Sequence, residues 1–187
     1  MRKLIVFNHV TLDGYFVDAG GGMTWAYAGN DDPEFQQFVA ENAQGGGELV
    51  FGRKTYDLMA SYWPTPVAEQ QNPEVARGMN AMRKYVASRT MKAAAWSNTI
   101  LLQGELTAAV RALKMKDGPG LCLLGSGNVV AQLAAAGLID EYQFILDPLA
   151  LGSGRTMFEN VPAPVHLKLA RSRVFRNGKI YLAYEQA

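Results

Sequence analysis

The apolar positions of this chain fall into short runs, each broken by glycine, proline or charged residues. Residues 4–12, Leu-Ile-Val-Phe-Asn-His-Val-Thr-Leu, are almost continuously apolar, the pattern of a central strand covered on both faces. Runs at 48–51, 84–89, 99–102, 121–124 and 139–146 predict five further strands. Between them the spacing becomes helical. Phe35, Phe38 and Val39 share one face behind Asp31-Asp32-Pro33-Glu34, where an Asp cap, a proline in the first position and a first-turn acid predict a helix start. Further helices are expected from Arg53, within 74–82, around Leu106, Val110 and Leu113, and around Val129, Val130 and Leu133, the last ended by Gly137. Near the C-terminus, runs at 165–175 and 179–184 flank Asn177-Gly178, a type I′ hairpin signal. The order predicts one α/β domain over residues 1–187. Its sheet is mostly parallel with an antiparallel C-terminal edge, and helices cover both faces.

Two strand-to-helix turns carry the candidate chemistry. Gly125-Ser126-Gly127-Asn128-Val129 follows the run at 121–124. Glycine there lets the backbone take positive φ and approach a ligand closely. The helix start offers free N–H groups and a partial positive charge, which suit a phosphate. The Rossmann fingerprint is absent, because Val130 stands where its third glycine belongs. Gly52-Arg53-Lys54-Thr55 begins like a P-loop counted from Gly47, but Arg53 intrudes and the intervening residues read as strand. What remains is a glycine, two cations and a hydroxyl at a helix start. Ser88-Arg89 ends another strand, where a guanidinium either grips a phosphate bidentately or is merely solvated. The first strand closes on Asp13-Gly14, and Gly20-Gly21-Gly22 precedes Trp25. That segment is either a plain surface loop or one that closes over a substrate.

Composition narrows the class without naming a ligand. The 187 residues are 49% hydrophobic with a formal charge of +1, as in an ordinary soluble protein. Lys and Arg are dispersed, so no nucleic-acid partner is expected. No run approaches the roughly 20 apolar residues that span a bilayer, and the N-terminus does not read as a signal peptide, so no membrane partner and a cytoplasmic location are expected. Cys122, the one cysteine, falls in a strand and reads as inert packing. His9 and His166 have no nearby Cys or His, so no metal site is expected.

The order of elements, with Thr11-Leu-Asp13-Gly14, Gly52-Arg-Lys-Thr-Tyr56, Met79-Asn-Ala-Met-Arg-Lys84-Tyr-Val-Ala-Ser88-Arg89, Gly125-Ser-Gly127, Asp140-Glu141 and Leu151-Gly-Ser-Gly-Arg155, resembles the dihydrofolate reductase-like family. More specifically, it is similar to the reductase domain of the bifunctional riboflavin-biosynthesis deaminase–reductase. The resemblance implies a three-layer α/β/α fold and NADPH as cofactor. It implies that Gly52, Arg53, Lys54 and Thr55 hold phosphates at one helix start. Gly125, Ser126, Gly127, Asn128 and Val129 would hold the pyrophosphate at the other. Ser88 and Arg89 would flank the adenosine 2′-phosphate, and the nicotinamide would lie by Val10 to Gly14. The substrate face would then be lined by Asp13, Trp25, Asp32 and Tyr56, with Asp13, or a water held by Trp25, assisting proton delivery. A homodimer is also implied, supported by the apolar C-terminal hairpin and Leu149-Ala-Leu151.

Two classes of function follow. The first is hydride transfer from NADPH to a small pteridine- or pyrimidine-like, other heterocyclic or carbonyl substrate, similar to the riboflavin-pathway 5-amino-6-(5-phosphoribosylamino)uracil reductase. The second is nucleotide binding without turnover, as in a sensor or scaffold. A true dihydrofolate reductase is a further alternative, yet Asn30, Asp31, Asp32 and Glu34 crowd the start of the first helix instead of placing one acid inside it. Capping and the helix dipole alone account for Asp32, and an Asp-Gly turn for Asp13.

Overall fold

The computed structural model describes all residues from Met1 to Ala187. In chain order the strands are β1 (Leu4–Thr11), β2 (Tyr15–Val17), β3 (Glu48–Gly52), β4 (Lys84–Ala87), β5 (Thr99–Leu102), β6 (Leu121–Leu124), β7 (Glu141–Asp147), β8 (Arg155–Thr156), β9 (Leu167–Val174) and β10 (Ile180–Gln186). The helices are α1 (Pro33–Gln44), α2 (Arg53–Tyr62), α3 (Pro66–Gln71), α4 (Pro73–Ala81), α5 (Leu106–Met115) and α6 (Gly127–Ala135), with a 3-10 turn at Thr24–Tyr27. Eight strands form one sheet in the order β5-β4-β3-β6-β1-β7-β10-β9. The first six run parallel, and β10 joins β7 and β9 antiparallel. The expected three-layer architecture is what the chain adopts. No helix is long and apolar enough to cross a membrane.

The period-two alternation of the strands divides the core between the faces. Leu4 and Val6 of β1, with Leu121 and Leu123 of β6, pack against Val110, Leu113, Val130 and Leu133 of α5 and α6. On the opposite face the core is split in two. Leu49, Phe51 and Val86 lie with Tyr56, Met79 and Trp96 beneath α2 and α4. Phe35 of α1 covers Ile145, Phe175, Tyr181 and Ala183, with Phe7 alongside. The central strand β6 passes between these clusters, and its Cys122 and Leu124 are only half-buried there. That gap is the cleft described below.

Three local features differ from the sequence expectation. Residues 63–82 hold two helices, because Thr65 caps α3 and Pro73 restarts the chain as α4. β2 and β8 pair as a separate two-stranded sheet, too short for periodicity to show. The hairpin turn is not type I′: only Gly178 has positive φ (83°). The Gly178 N–H donates to the Phe175 carbonyl at 3.0 Å, so a type I turn ends on a left-handed glycine, the usual three-residue loop. The stop at Gly137 is as expected, with φ 61° and its own N–H and that of Leu138 returned to helix carbonyls.

Candidate active site

A cleft of about 1840 Å³ runs across one face of the sheet and takes in the carboxyl ends of the parallel strands, where open α/β sheets bind ligands. Drug-sized ligands occupy pockets of roughly 300–1,000 Å³, so this cleft has room for a dinucleotide and a second small molecule.

One end is built from two turns locked to each other. β3 and β6 are neighbours, so the glycine turns that follow them meet. The Gly52 N–H donates to the Ser126 hydroxyl at 3.0 Å, and that hydroxyl lies 2.9 Å from the Thr55 hydroxyl. Ser126 takes left-handed φ (58°) as the residue before α6. The Gly125 N–H donates to the Asn8 side-chain oxygen at 2.8 Å. Substituents are blocked at both turns. A Cβ on Gly52 would lie 2.9 Å from Ser126 Cβ, and one on Gly125 2.6 Å from Thr55 Oγ1. Neither α2 nor α6 has a side-chain cap at its start; the Val129 N–H turns back to the Ser126 carbonyl at 2.8 Å, and the residues ahead of it, Gly127 and Asn128, line the cleft with Arg53 and Lys54 of α2. Two adjoining helix N-termini make a concentrated anion site.

Cations complete it. Arg53 is braced by Thr90 (2.7 Å) and Asp57 (3.3 Å). The Ser88 hydroxyl accepts from the N–H groups of Thr90 (3.3 Å) and Met91 (3.0 Å), fixing the turn that presents exposed Arg89. Lys54 is exposed at the start of α2. Gly52, Arg53, Lys54, Thr55, Ser88, Arg89, Gly125, Ser126, Gly127, Asn128 and Val129 all line the cleft. Val10 does not: it packs against the main core.

The other end differs from the sequence expectation, because Asp13, Trp25, Asp32 and Tyr56 lie outside the cleft wall. Asp13 accepts from the Thr11 hydroxyl and from the N–H groups of Leu151 (3.2 Å) and Gly152 (2.7 Å). Thr11 first, then Gly152, hold its carboxyl below the usual range, so it is an ionised clamp on the loop after β7 and a poor proton donor. Asp32 caps α1 through the N–H groups of Glu34 (2.9 Å) and Phe35 (3.3 Å), and its other oxygen accepts from the Asn177 N–H at 2.9 Å. Tyr56 is buried against Phe51 and Trp96, with its hydroxyl accepting from the Trp96 N–H at 2.9 Å. The Trp25 indole N–H is buried without a partner. Its neighbours Met23, Ala26 and Tyr27 line the cleft in its place.

The walls at this end are Phe7, His9, Tyr27, Phe35, Val39, Leu58, Met59, Tyr62 and Trp63. Glu105 is the one carboxylate among the lining residues. It sits beyond β5, where the Thr107 hydroxyl and N–H groups pull it down to about 2. At the aromatic end itself no carboxylate lines the cleft. His9 was visible in the sequence only as a strand residue. Its place two positions after Phe7 puts it on the α1 face of β1. There its Nδ1 lies 2.8 Å from Asp147 Oδ2.

Cys122 forms part of the floor, and burial among apolar neighbours pushes its thiol up to about 12. Only the thiolate attacks disulfide reagents. Folded protein at pH 8 is therefore expected to react with a chromogenic disulfide at least about 10²-fold more slowly than urea-unfolded protein. Equal rates would show an open, ionisable thiol.

Residues 2–181 match the family model of the RibD C-terminal domain, and the chain belongs to that family. It is 27% identical over 183 residues to the Bacillus subtilis protein YyaP, covering 98% of this chain and 94% of that one. It is 23% identical over 176 residues to YwjB of the same organism, covering 93% and 92%. Both relatives are uncharacterized. Among solved structures, a Shewanella sp. PV-4 protein named for riboflavin biosynthesis superposes with a TM-score of 0.74 at 24% identity, covering 99% of each chain. A pyrimidine reductase-like protein of Corynebacterium diphtheriae gives 0.65 at 12% identity, covering all of this chain and 92% of that one. The Thermotoga maritima diaminohydroxyphosphoribosylaminopyrimidine deaminase/5-amino-6-(5-phosphoribosylamino)uracil reductase gives 0.66 at 14% identity; all of this chain matches 57% of that one. These likenesses establish the riboflavin-reductase type of fold.

Proposed function

We propose that the protein is an NADPH-dependent reductase acting on a small neutral or anionic heterocyclic or carbonyl substrate of the pyrimidine type. The observation that carries this reading is the pair of interlocked, uncapped helix starts with Arg53, Lys54 and Arg89 beside them. A dinucleotide has a pyrophosphate for such a site, and NADPH adds a 2′-phosphate for Ser88 and Arg89. When bound, the cofactor supplies hydride at its nicotinamide. The protein positions and excludes water. Gly52 and Gly125 bring backbone close to phosphate, Thr55 and Ser126 fix the two turns, and the aromatic end holds a flat ring against the nicotinamide. The absence of a carboxylate there disfavours cationic pterins. The names of two structural neighbours, a 5-amino-6-(5-phosphoribosylamino)uracil reductase and a pyrimidine reductase-like protein, point to the same substrate class.

The test is consumption of NADPH with 5-amino-6-(5-phosphoribosylamino)uracil and with a panel of aminopyrimidines and dihydropteridines. Turnover with a pyrimidine supports the reading; binding without turnover of any of them supports a sensor. The role of Arg89 is tested separately. One charge-assisted contact is worth about 1.5–3 kcal/mol, and Arg89 is exposed, which favours the lower end. Arg89→Ala is expected to weaken NADPH roughly 10-fold and leave NADH nearly unchanged. A fluorescence titration showing equal losses for both would remove Arg89 from the 2′-phosphate site.

A further inference from the structure

The aromatic end of the cleft contains a buried charge relay that the cofactor site does not use. Asp147, at the end of β7, is 1% exposed. It is ion-paired with Lys179, the residue just before β10, which is equally buried and also donates to the Ala26 carbonyl at 2.8 Å. Register makes this meeting possible: Ile180 pairs with Leu146, and Thr11 of β1 with Asp147. The other Asp147 oxygen lies 2.8 Å from His9 Nδ1. A carboxylate beside an ammonium only accepts, so Nδ1 carries the hydrogen. His9 is held on two further sides by edge-on contacts with Phe7 (6.4 Å) and Phe35 (6.3 Å). The charged groups packed on it are Asp147 and, through Asp147, Lys179. Its ring is 17% exposed and lines the cleft, and Nε2 has no partner within the protein.

We propose that His9 is the proton donor of the reductase, through Nε2, with Asp147 and Lys179 as positioning residues. The inference rests on the reductase reading above. Reduction of a C=N or C=O group requires two electrons and two hydrogens. The substrate carbon accepts hydride from the nicotinamide, the π pair moves onto nitrogen or oxygen, and that atom takes the Nε2 proton. The products are the saturated substrate, NADP+ and neutral imidazole, which regains a proton from solvent. The arrangement has the base–orienter geometry of a general acid; Asp13 is an ionised clamp and Asp32 a cap, and the Tyr62 hydroxyl, also in the wall, spends its hydrogen on Gln71 at 3.1 Å.

The chain has only two histidines, and His166 is exposed, so nitrogen NMR of the intact protein resolves His9 against an internal control. In the absence of cofactor, neutral His9 is expected as the Nδ1–H tautomer, and NADP+ is expected to shift its Nε2 while leaving His166 unmoved. An Nε2–H tautomer, or an Nε2 unmoved by NADP+ that binds, overturns the assignment without touching cofactor binding. A titration in which NADP+ does not bind defeats the reductase reading instead, and the tautomer still judges the geometry of His9. His9→Gln keeps a donor to Asp147. In single turnovers of NADPH with 5-amino-6-(5-phosphoribosylamino)uracil it is expected to lower the hydride-transfer rate about 10²–10⁴-fold and flatten its pH profile, with NADPH affinity kept. An unchanged rate and profile in that variant would leave proton delivery to solvent.

Discussion

Replacing Asp147 with alanine is expected to cost about 3–5 kcal/mol of stability, the effect of stranding a buried charge. Lys179 is 1% exposed, and without Asp147 its ammonium keeps one carbonyl, Ala26, and the face of Phe35 at 5.2 Å. Neither replaces a counter-ion. For a chain of this size each kcal/mol shifts the melting point by about 2–4 °C, so the drop should be plain in a thermal scan and measurable in urea. The double variant Asp147→Ala/Lys179→Met separates charge from packing. It is expected to recover much of the loss, because an apolar pair of similar bulk is tolerated where a half-broken ion pair is not. A single-variant loss below about 1 kcal/mol would mean that Lys179 reaches water and that the relay behind His9 is not buried.

Gly125→Ala should be nearly as costly, and at the proposed cofactor site. Gly125 has φ 62°, the left-handed region, which costs a non-glycine residue roughly 1–2 kcal/mol. A Cβ there also meets Thr55 Oγ1 at 2.6 Å and Cγ2 at 2.7 Å, and such overpacking typically costs about 1–3 kcal/mol. The sum is about 2–5 kcal/mol. Gly137 supplies the control: its φ is 61°, yet a Cβ there meets nothing within 4 Å. Gly137→Ala is therefore expected to show the backbone cost alone and to leave NADPH binding intact. Gly125→Ala pushes Thr55 off the Ser126 hydroxyl and spreads the two turns, so NADPH affinity should fall at least about 100-fold. Equal stability losses in the two variants, with NADPH binding retained in both, would show that the turns are not interlocked.

The contrast between the two ends of the cleft explains what the sequence revealed. Gly52 to Thr55 and Gly125 to Val129 are local motifs: a strand, a glycine and a helix start are consecutive, so their geometry is written in neighbouring residues. That the two turns touch follows from β6 inserting beside β3, which strand order alone conveyed only through the family resemblance. The proposed substrate end is assembled from distant positions. His9 and Asp147 are 138 residues apart, and Lys179 is 32 further on; none has a motif around it. Asp13 and Asp32 attracted notice because they are acids near loop ends. The same property makes them good turn and cap residues, and hydrogen bonds to Gly152 and to the start of α1 engaged them there. Tyr56 follows the Gly52–Thr55 turn in sequence, but one residue past Thr55 the helix has rotated it into the core.

The measurement that bears most directly on the account is a paired titration of the wild-type protein with NADPH and NADH at low salt, followed by intrinsic fluorescence. Interlocked helix starts flanked by Arg53, Lys54 and Arg89 predict saturable binding of one NADPH per chain, at least about 10-fold tighter than NADH. Failure of NADPH to saturate, or equal affinity for the two dinucleotides, would contradict the assignment of this cleft to NADPH.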